Sequence, residues 1–265
     1  MRQFISSRPA DRKGLICVDG KDYRYLRQVL RLRSGDMLSV RLPDGSLQNT
    51  TVCEINEENR IITLQICADT KNGSITRGVQ AGEIESEMEY TGIEYWLFQY
   101  IAKPVKMEQI VRQATECGIR FIVPVAGSYS QKQNVMALQS GKKERIERII
   151  REARQQSGSP VKTELLDPVT TEEAVALWKN VCTEKSSAVV LWERNENTRR
   201  LKEILTSETV RVAVAVGCEG GISPDEVEVL VQGGFVPVHF AGNILRCETA
   251  AVYGIAAVQS MLGEM

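Results

Sequence analysis

The chain is poor in several features that announce a function class. It has a single histidine, and its seven cysteines are scattered with no Cys-x-x-Cys pair. That pattern argues against a zinc site and against a disulfide framework, and it suits a reducing compartment, so a cytoplasmic protein is expected. No run of eighteen apolar residues occurs, so no membrane-crossing helix is expected. The start, Met1-Arg2-Gln3-Phe4-Ile5-Ser6, lacks the apolar core of a secretory signal. There is no Gly-x-Gly-x-x-Gly after an early strand, which ranks a dinucleotide oxidoreductase last among the readings. No solenoid-period repeat or low-complexity tract is present. Net charge is −1, so the chain as a whole is not built to coat a polyanion.

What is present is ordinary in amount and informative in distribution. At 265 residues, 43% hydrophobic and 25% charged, the chain can bury one large core or two smaller ones. Residues 1–41 hold ten Lys and Arg against four Asp, an excess able to form a phosphate-facing surface or simply a solvated face. Residues 15–18, 37–42, 52–55 and 61–66 read as strands, and Asp44-Gly45 as a tight hairpin turn. Residues 22–32 read as a helix, with Tyr25, Leu26, Val29 and Leu30 on one face and Arg24, Arg27 and Arg31 largely on another. A β-rich domain over residues 1–70 is expected, then a polar linker or extended loop over 71–92.

From residue 93 to 265 the pattern alternates between strands and helices. Strands are expected at residues 95–101, 121–125, 161–166, 188–192, 210–216 and 235–240. Helices are expected at 103–117, 137–156, 171–178 and 200–205, after Ser223-Pro224, and from Ile244 onward. Such alternation means an α/β fold, a parallel sheet with helices on both faces. Two strand–turn units near the end stand out. The first turn reads Gly217-Cys218-Glu219-Gly220-Gly221-Ile222-Ser223-Pro224, where glycines permit a sharp turn and a close ligand approach. The second reads Ala241-Gly242-Asn243-Ile244-Leu245-Arg246-Cys247-Glu248-Thr249-Ala250. Both sit where ligands bind open parallel sheets, at strand C-terminal ends.

Gly217-x-Glu219-Gly220-Gly221-x-Ser223 together with Ile244-Leu245-Arg246-x-Glu248-Thr249-Ala250 resembles the signature of the RsmE-type 16S rRNA uridine-N3 methyltransferases. Val29-Leu30-Arg31 with Gly35-Asp36, and Lys103, Lys106 and Glu108 with Gln113, Ala114, Glu116 and Gly118, extend the resemblance along the chain. Cys218 replaces the family's usual proline, Asn243 stands where arginine is frequent, and a basic residue is missing after Gln155-Gln156. The resemblance implies a SPOUT-like domain with a carboxyl-terminal trefoil knot, preceded by a PUA-like RNA-binding barrel. It also implies S-adenosylmethionine as cofactor, 16S rRNA or the small ribosomal subunit as partner, and a homodimer.

On that basis Leu191, Gly217, Glu219, Gly220, Gly221, Ile244, Leu245 and Thr249 are expected around the cofactor. Methylating N3 requires loss of the N3 proton, so a positive charge near O2 and O4, or a base near N3, is needed. Arg246 is the expected charge and Glu248 its orienting partner or the base. Arg2, Arg24, Arg27, Arg31, Lys103 and Lys106 are the expected RNA contacts. His239, on one face of a strand, reads as structural. A non-catalytic RNA-binding or assembly factor with a degenerate pocket, and a related enzyme methylating a ribose hydroxyl, remain as alternatives.

Overall fold

The computed structural model describes residues 3–67, 92–139 and 143–263. The chain divides into two compact units, Met1–Tyr90 and Thr91–Met265. The expected linker lies outside the described residues apart from its last position, and Arg2 lies outside them too.

In the first unit the described residues form a five-stranded sheet of β1 (Gln3–Ile5), β2 (Leu15–Val18), β3 (Met37–Arg41), β4 (Leu47–Asn56) and β5 (Ile61–Ile66). The order is β1-β3-β4-β5-β2, with β1 parallel to β3 and the other pairs antiparallel. Strand alternation turns Leu38, Val40, Val52, Ile62 and Leu64 into one core with Phe4, Ile16 and Leu26. The Asp44-Gly45 turn forms as expected, with Gly45 at φ 92° and the Leu42 N–H donating to the Ser46 carbonyl at 2.8 Å. Strand β1 was not expected, because three residues carry too little period to register.

The helix expected over residues 22–32 is shorter and wider. It runs as α1 (Gly20–Arg24) and continues as one π-helical turn, Tyr25–Val29, in which the Leu30 N–H reaches the Tyr25 carbonyl at 3.0 Å. That winding breaks the 3.6-residue face. Val29, expected inward, is 65% exposed, while Tyr23, Leu26 and Leu32 are buried. Arg31, in the left-handed region at φ 56°, ends the turn.

The second unit has a six-stranded sheet among its described residues: β6 (Glu94–Tyr100), β7 (Phe121–Val125), β8 (Glu164–Leu165), β9 (Ser186–Leu191), β10 (Arg211–Val216) and β11 (Val236–Val238). The order is β11-β9-β10-β6-β7-β8 and every pairing is parallel. The helices are α2 (Pro104–Glu116), α3 (Lys132–Gln139), α4 (Lys143–Ser157), α5 (Thr171–Val181), α6 (Pro224–Gln232) and α7 (Cys247–Gly263). Alternate residues of β6 enter opposite cores. Tyr95 and Leu97 pack with α2, α4 and α7, whereas Trp96, Phe98 and Tyr100 pack with α5 and α6. The strands are apolar on both faces because helices cover both.

Three expected elements differ. The helix over residues 137–156 is two, α3 and α4, with 140–142 between them outside the described residues. The strand over 161–166 pairs only at Glu164–Leu165, and residues 200–205 form one 3-10 turn, Leu201–Glu203.

Helix α6 starts as its sequence indicates. Ser223 caps it, Pro224 follows, and Glu226 closes a capping box. Glu226 does more than cap. It is buried, its Oε2 accepts from the Ser223 N–H at 3.1 Å and hydroxyl at 2.7 Å, and its Oε1 accepts from the Ser128 N–H at 2.8 Å and the Thr171 hydroxyl at 3.2 Å. One carboxyl group thus joins α6, α5 and the segment after β7. Glu226→Ala strands several buried donors and is expected to lower stability by roughly 3 kcal/mol. Urea unfolding followed by tryptophan fluorescence checks this, since Trp96, Trp178 and Trp192 all lie in the Thr91–Met265 unit.

Candidate functional site

Parallel pairing brings the carboxyl ends of four strands together. Val216 of β10 pairs with Gln99 of β6, Ala215 with Val190 of β9, and Leu191 with Val238 of β11. The loops that leave β9, β10 and β11 therefore emerge side by side and enclose a cavity of about 370 Å³. That volume lies in the range of about 300–1,000 Å³ usual for small-molecule sites.

The turn after β10 is folded tightly on itself. A Cβ on Gly217 would lie 2.6 Å from the backbone carbonyl carbon of Gly221, and Gly221 has φ 79°. The Gly221 N–H donates to the Cys218 carbonyl at 3.0 Å, and the Cys218 thiol faces the Gly221 carbonyl oxygen at 3.6 Å. A Cβ on Gly220 would meet the Tyr129 Cβ at 2.9 Å. At both positions the space a Cβ would take is filled by the protein itself, so these glycines serve the tight turn while their backbone lines the cavity. The fully buried Gln99 amide lies beneath, donating to the carbonyls of Val216 at 3.3 Å and Gly217 at 3.1 Å.

Of the residues expected from the sequence, Leu191, Gly217, Glu219, Gly220, Gly221, Ile244, Leu245 and Arg246 all line the cavity. Ile244 is 84% exposed and so forms rim rather than wall. Leu191 also supports the far side, because a Cβ on Gly254 of α7 would lie 2.4 Å from its Cδ1. Thr249 is exposed on the first turn of α7, outside the lining. Arg246 is exposed and makes no ion pair among the described residues.

Glu248 does not hold Arg246. Its Oε2 takes the Lys106 ammonium at 3.0 Å, and the same ammonium stands 3.8 Å from the Glu219 Oε1. Glu219 Oε1 also accepts the Lys103 N–H at 3.2 Å, at the start of α2. Burial opposes ionisation of Glu248, but its own backbone N–H, Lys106 and Cys247 outweigh it and hold the carboxyl below its ordinary value. Lys106 is raised in turn, chiefly by its hydrogen bond to Glu248. The Cys247 thiol, 3.3 Å from Glu248 and 3.9 Å from Lys106, is pushed up to about 12 by burial and by that carboxylate.

Three residues of the lining were not expected there from the sequence. Glu193 lines the cavity next to Gly221, and His239 lines it while its Nδ1 lies 3.3 Å from the Trp192 carbonyl oxygen. Lys106, expected as an RNA contact, lines it as well. Gln99 did leave a signal, a lone amide inside an otherwise apolar strand. Among the other expected RNA contacts, Arg24, Arg31 and Lys103 are exposed. Arg27 is committed, pairing with Glu57 at 2.6 Å and donating to the Leu32 carbonyl at 2.9 Å.

Residues 90–259 match the family described as RNA methyltransferase domain. The chain is 27% identical over 241 residues to a ribosomal RNA small subunit methyltransferase E of Buchnera aphidicola, covering 91% of this chain and 88% of that one. It is 27% identical over 264 residues to the protein of the same name in Rickettsia conorii, covering 97% and 94%. In structure it resembles a ribosomal RNA small subunit methyltransferase E of Neisseria gonorrhoeae bound to S-adenosyl methionine, with TM-score 0.76, 20% identity and 98% of each chain covered. It likewise resembles a methyltransferase from Legionella pneumophila in complex with the same molecule, with TM-score 0.74, 21% identity and 98% of each chain. At those identities the structural likeness establishes the fold.

The Lys106–Glu248 pair has a definite acid signature. A carboxyl group held below its unfolded value of 4.5 contributes stability that is present above that value and lost as the pH falls through the folded one. Glu248→Gln is therefore expected to melt below the parent at pH 7, with the gap narrowing as the pH drops past 4.5. Melting curves across that interval test it; a gap independent of pH contradicts the pairing.

Proposed function

The chain belongs to the RNA methyltransferase family, in its RsmE-type branch, and on that premise we propose that it methylates N3 of a uridine in 16S rRNA of the small ribosomal subunit, using S-adenosylmethionine. The observation that carries this reading is one cavity receiving both glycine-containing turns, with the unpaired Arg246 on its lining. The residues present fit the cofactor. Leu191, Val216, Val238 and Leu245 offer an apolar wall for a flat base, and Glu193 offers an anionic group to its cationic end. Bound there, S-adenosylmethionine supplies an electrophilic methyl group.

The protein's share is to prepare the uracil. Its N3 proton lies about two pKa units above neutral, a cost of roughly 3 kcal/mol at pH 7. As the proton leaves toward solvent, negative charge spreads over N3, O2 and O4, and the Arg246 guanidinium, unpaired among the described residues, is the cation on the lining to meet it. Glu248 is a poor base for this step, because Lys106 helps hold its carboxyl below the ordinary value and so weakens it as a proton acceptor. Cys247 stays a thiol and forms no adduct.

The remaining family features belong to the same proposal. The strand order β11-β9-β10-β6 and the packing of α7 against α2 support a carboxyl-terminal trefoil knot. The five-stranded sheet of the first unit supports a PUA-like RNA-binding domain, with exposed Arg24 and Arg31 as phosphate contacts. Tyr253, 52% exposed on the small-residue helix α7, supports a homodimer surface. A cytoplasmic location follows from the substrate.

Small ribosomal subunits from cells lacking the modification, incubated with labelled S-adenosylmethionine and the protein, are expected to yield 3-methyluridine by mass spectrometry of nucleosides. Arg246→Ala is expected to slow incorporation by about 100-fold while leaving cofactor affinity within about threefold. A methylated ribose in place of 3-methyluridine would move the site of transfer to the sugar; absence of any product together with absence of cofactor binding would leave an RNA-binding factor.

A further inference from the structure

Lys106 has a different occupation from the RNA contact its charge and position suggest. Its side chain is only 27% exposed, and its ammonium is shared between Glu219, 32% exposed, and Glu248, 13% exposed. The three residues come from three separate elements: α2, the turn after β10 and the first turn of α7. With one ammonium 3.8 Å from a Glu219 oxygen and 3.0 Å from a Glu248 oxygen, those two carboxylate oxygens lie within about 7 Å of each other. No other ion pair is made to either carboxylate among the described residues. Remove the lysine, and two anions face one another across the seam between the two turns that form the cavity. Arg246 precedes Glu248 by two positions and passes its carbonyl to the Ala250 N–H at 2.7 Å, so the placement of α7's first turn also fixes where Arg246 starts.

We propose that Lys106 is a positioning residue: acting through Glu219 and Glu248, it clamps the Gly217–Gly221 turn onto the start of α7 and so sets the shape of the cavity and the origin of Arg246. The proposal rests on the reading of that cavity as the S-adenosylmethionine site. It assigns Lys106 to the interior of the site and takes it off the RNA-facing surface. The other charged or titratable groups facing the ammonium are accounted for: Cys247 lies 3.9 Å away and remains a neutral thiol, and Lys103 contributes only its backbone N–H, to Glu219.

The test is a double-mutant cycle on the full chain with two binding readouts: calorimetric affinity for S-adenosylmethionine, and affinity for 16S rRNA with its salt dependence. Lys106→Met is expected to weaken S-adenosylmethionine about tenfold, while 16S rRNA affinity stays within about twofold and the salt slope is unchanged. Lys106→Arg, which keeps the charge, is expected to recover to within about threefold of the parent. Adding Lys106→Met to Glu248→Gln is expected to cost less than about twofold further, because the two act as one unit. Unchanged cofactor affinity with weaker rRNA binding and a salt slope reduced by about one would overturn the proposal and return Lys106 to the RNA surface. Fully additive effects would overturn it too. If Lys106→Met does not fold, Glu248→Gln carries the test, since it must itself weaken the cofactor. A parent chain that binds no S-adenosylmethionine sinks the functional reading instead; the clamp is then judged from melting temperatures, where the same non-additivity between Lys106 and Glu248 is required.

Discussion

Strand β10 is hydrogen-bonded in parallel to β6 on one side and to β9 on the other, and that double pairing decides which edge of the sheet can carry chemistry. Parallel neighbours send their carboxyl ends the same way, so the loops after β9, β10 and β11 have no choice but to meet. The crowding that follows dictates the sequence there. The β10 loop must double back within five residues, which brings Gly221 against the position where residue 217 would carry a Cβ. It must then deliver α6 back to the sheet, and the buried Glu226 fixes that departure through bonds to Ser223, Thr171 and Ser128. The cavity is what remains after these demands have been met.

Charge is distributed unevenly over that remainder. Lys106, Glu219 and Glu248 satisfy one another and act as internal fasteners, the ionisation of Lys106 and Glu248 reinforced by their contact. Arg246 and Glu193 are left without ion pairs among the described residues, facing the space a ligand would take. A site with some charges locked and others free separates holding itself together from acting on a substrate. Desolvation adds a negative restriction, since the buried Cys247 thiol is too weak an acid to become a nucleophile.

The fold of the second unit was largely legible in the chain, because its long apolar strands and capped helices repeat a pattern that only a doubly covered parallel sheet satisfies. The Ser223-Pro224 helix start is a case in which local chemistry and tertiary structure agree. The failures have physical causes. Val29 was misplaced because a π-helical turn replaces the assumed winding, and β1 was missed because three residues cannot show a period. At the site, many of the lining residues followed from two motifs, but their partners did not. Glu248 was paired with Arg246 by proximity in sequence, whereas its actual partner is 142 positions earlier, on a helix the motif does not mention. Pairings of that kind are set by how elements pack, which one-dimensional spacing does not encode. For the glycines the sharp turn was visible in the sequence, and what packs into the space beside Gly217 and Gly220 was not.

Leu191 stands at the end of β9 with one side on the cavity and the other pressed into the notch left by Gly254. Glycine inside a helix costs about 1 kcal/mol against alanine, so α7 accepts a weaker backbone in exchange for lying close to the sheet. The arrangement makes one side chain the common wall of two compartments. A ligand in the cavity would rest on the same side chain that seats α7 against the sheet, so the width of the site and the approach of that helix are set by one aliphatic residue.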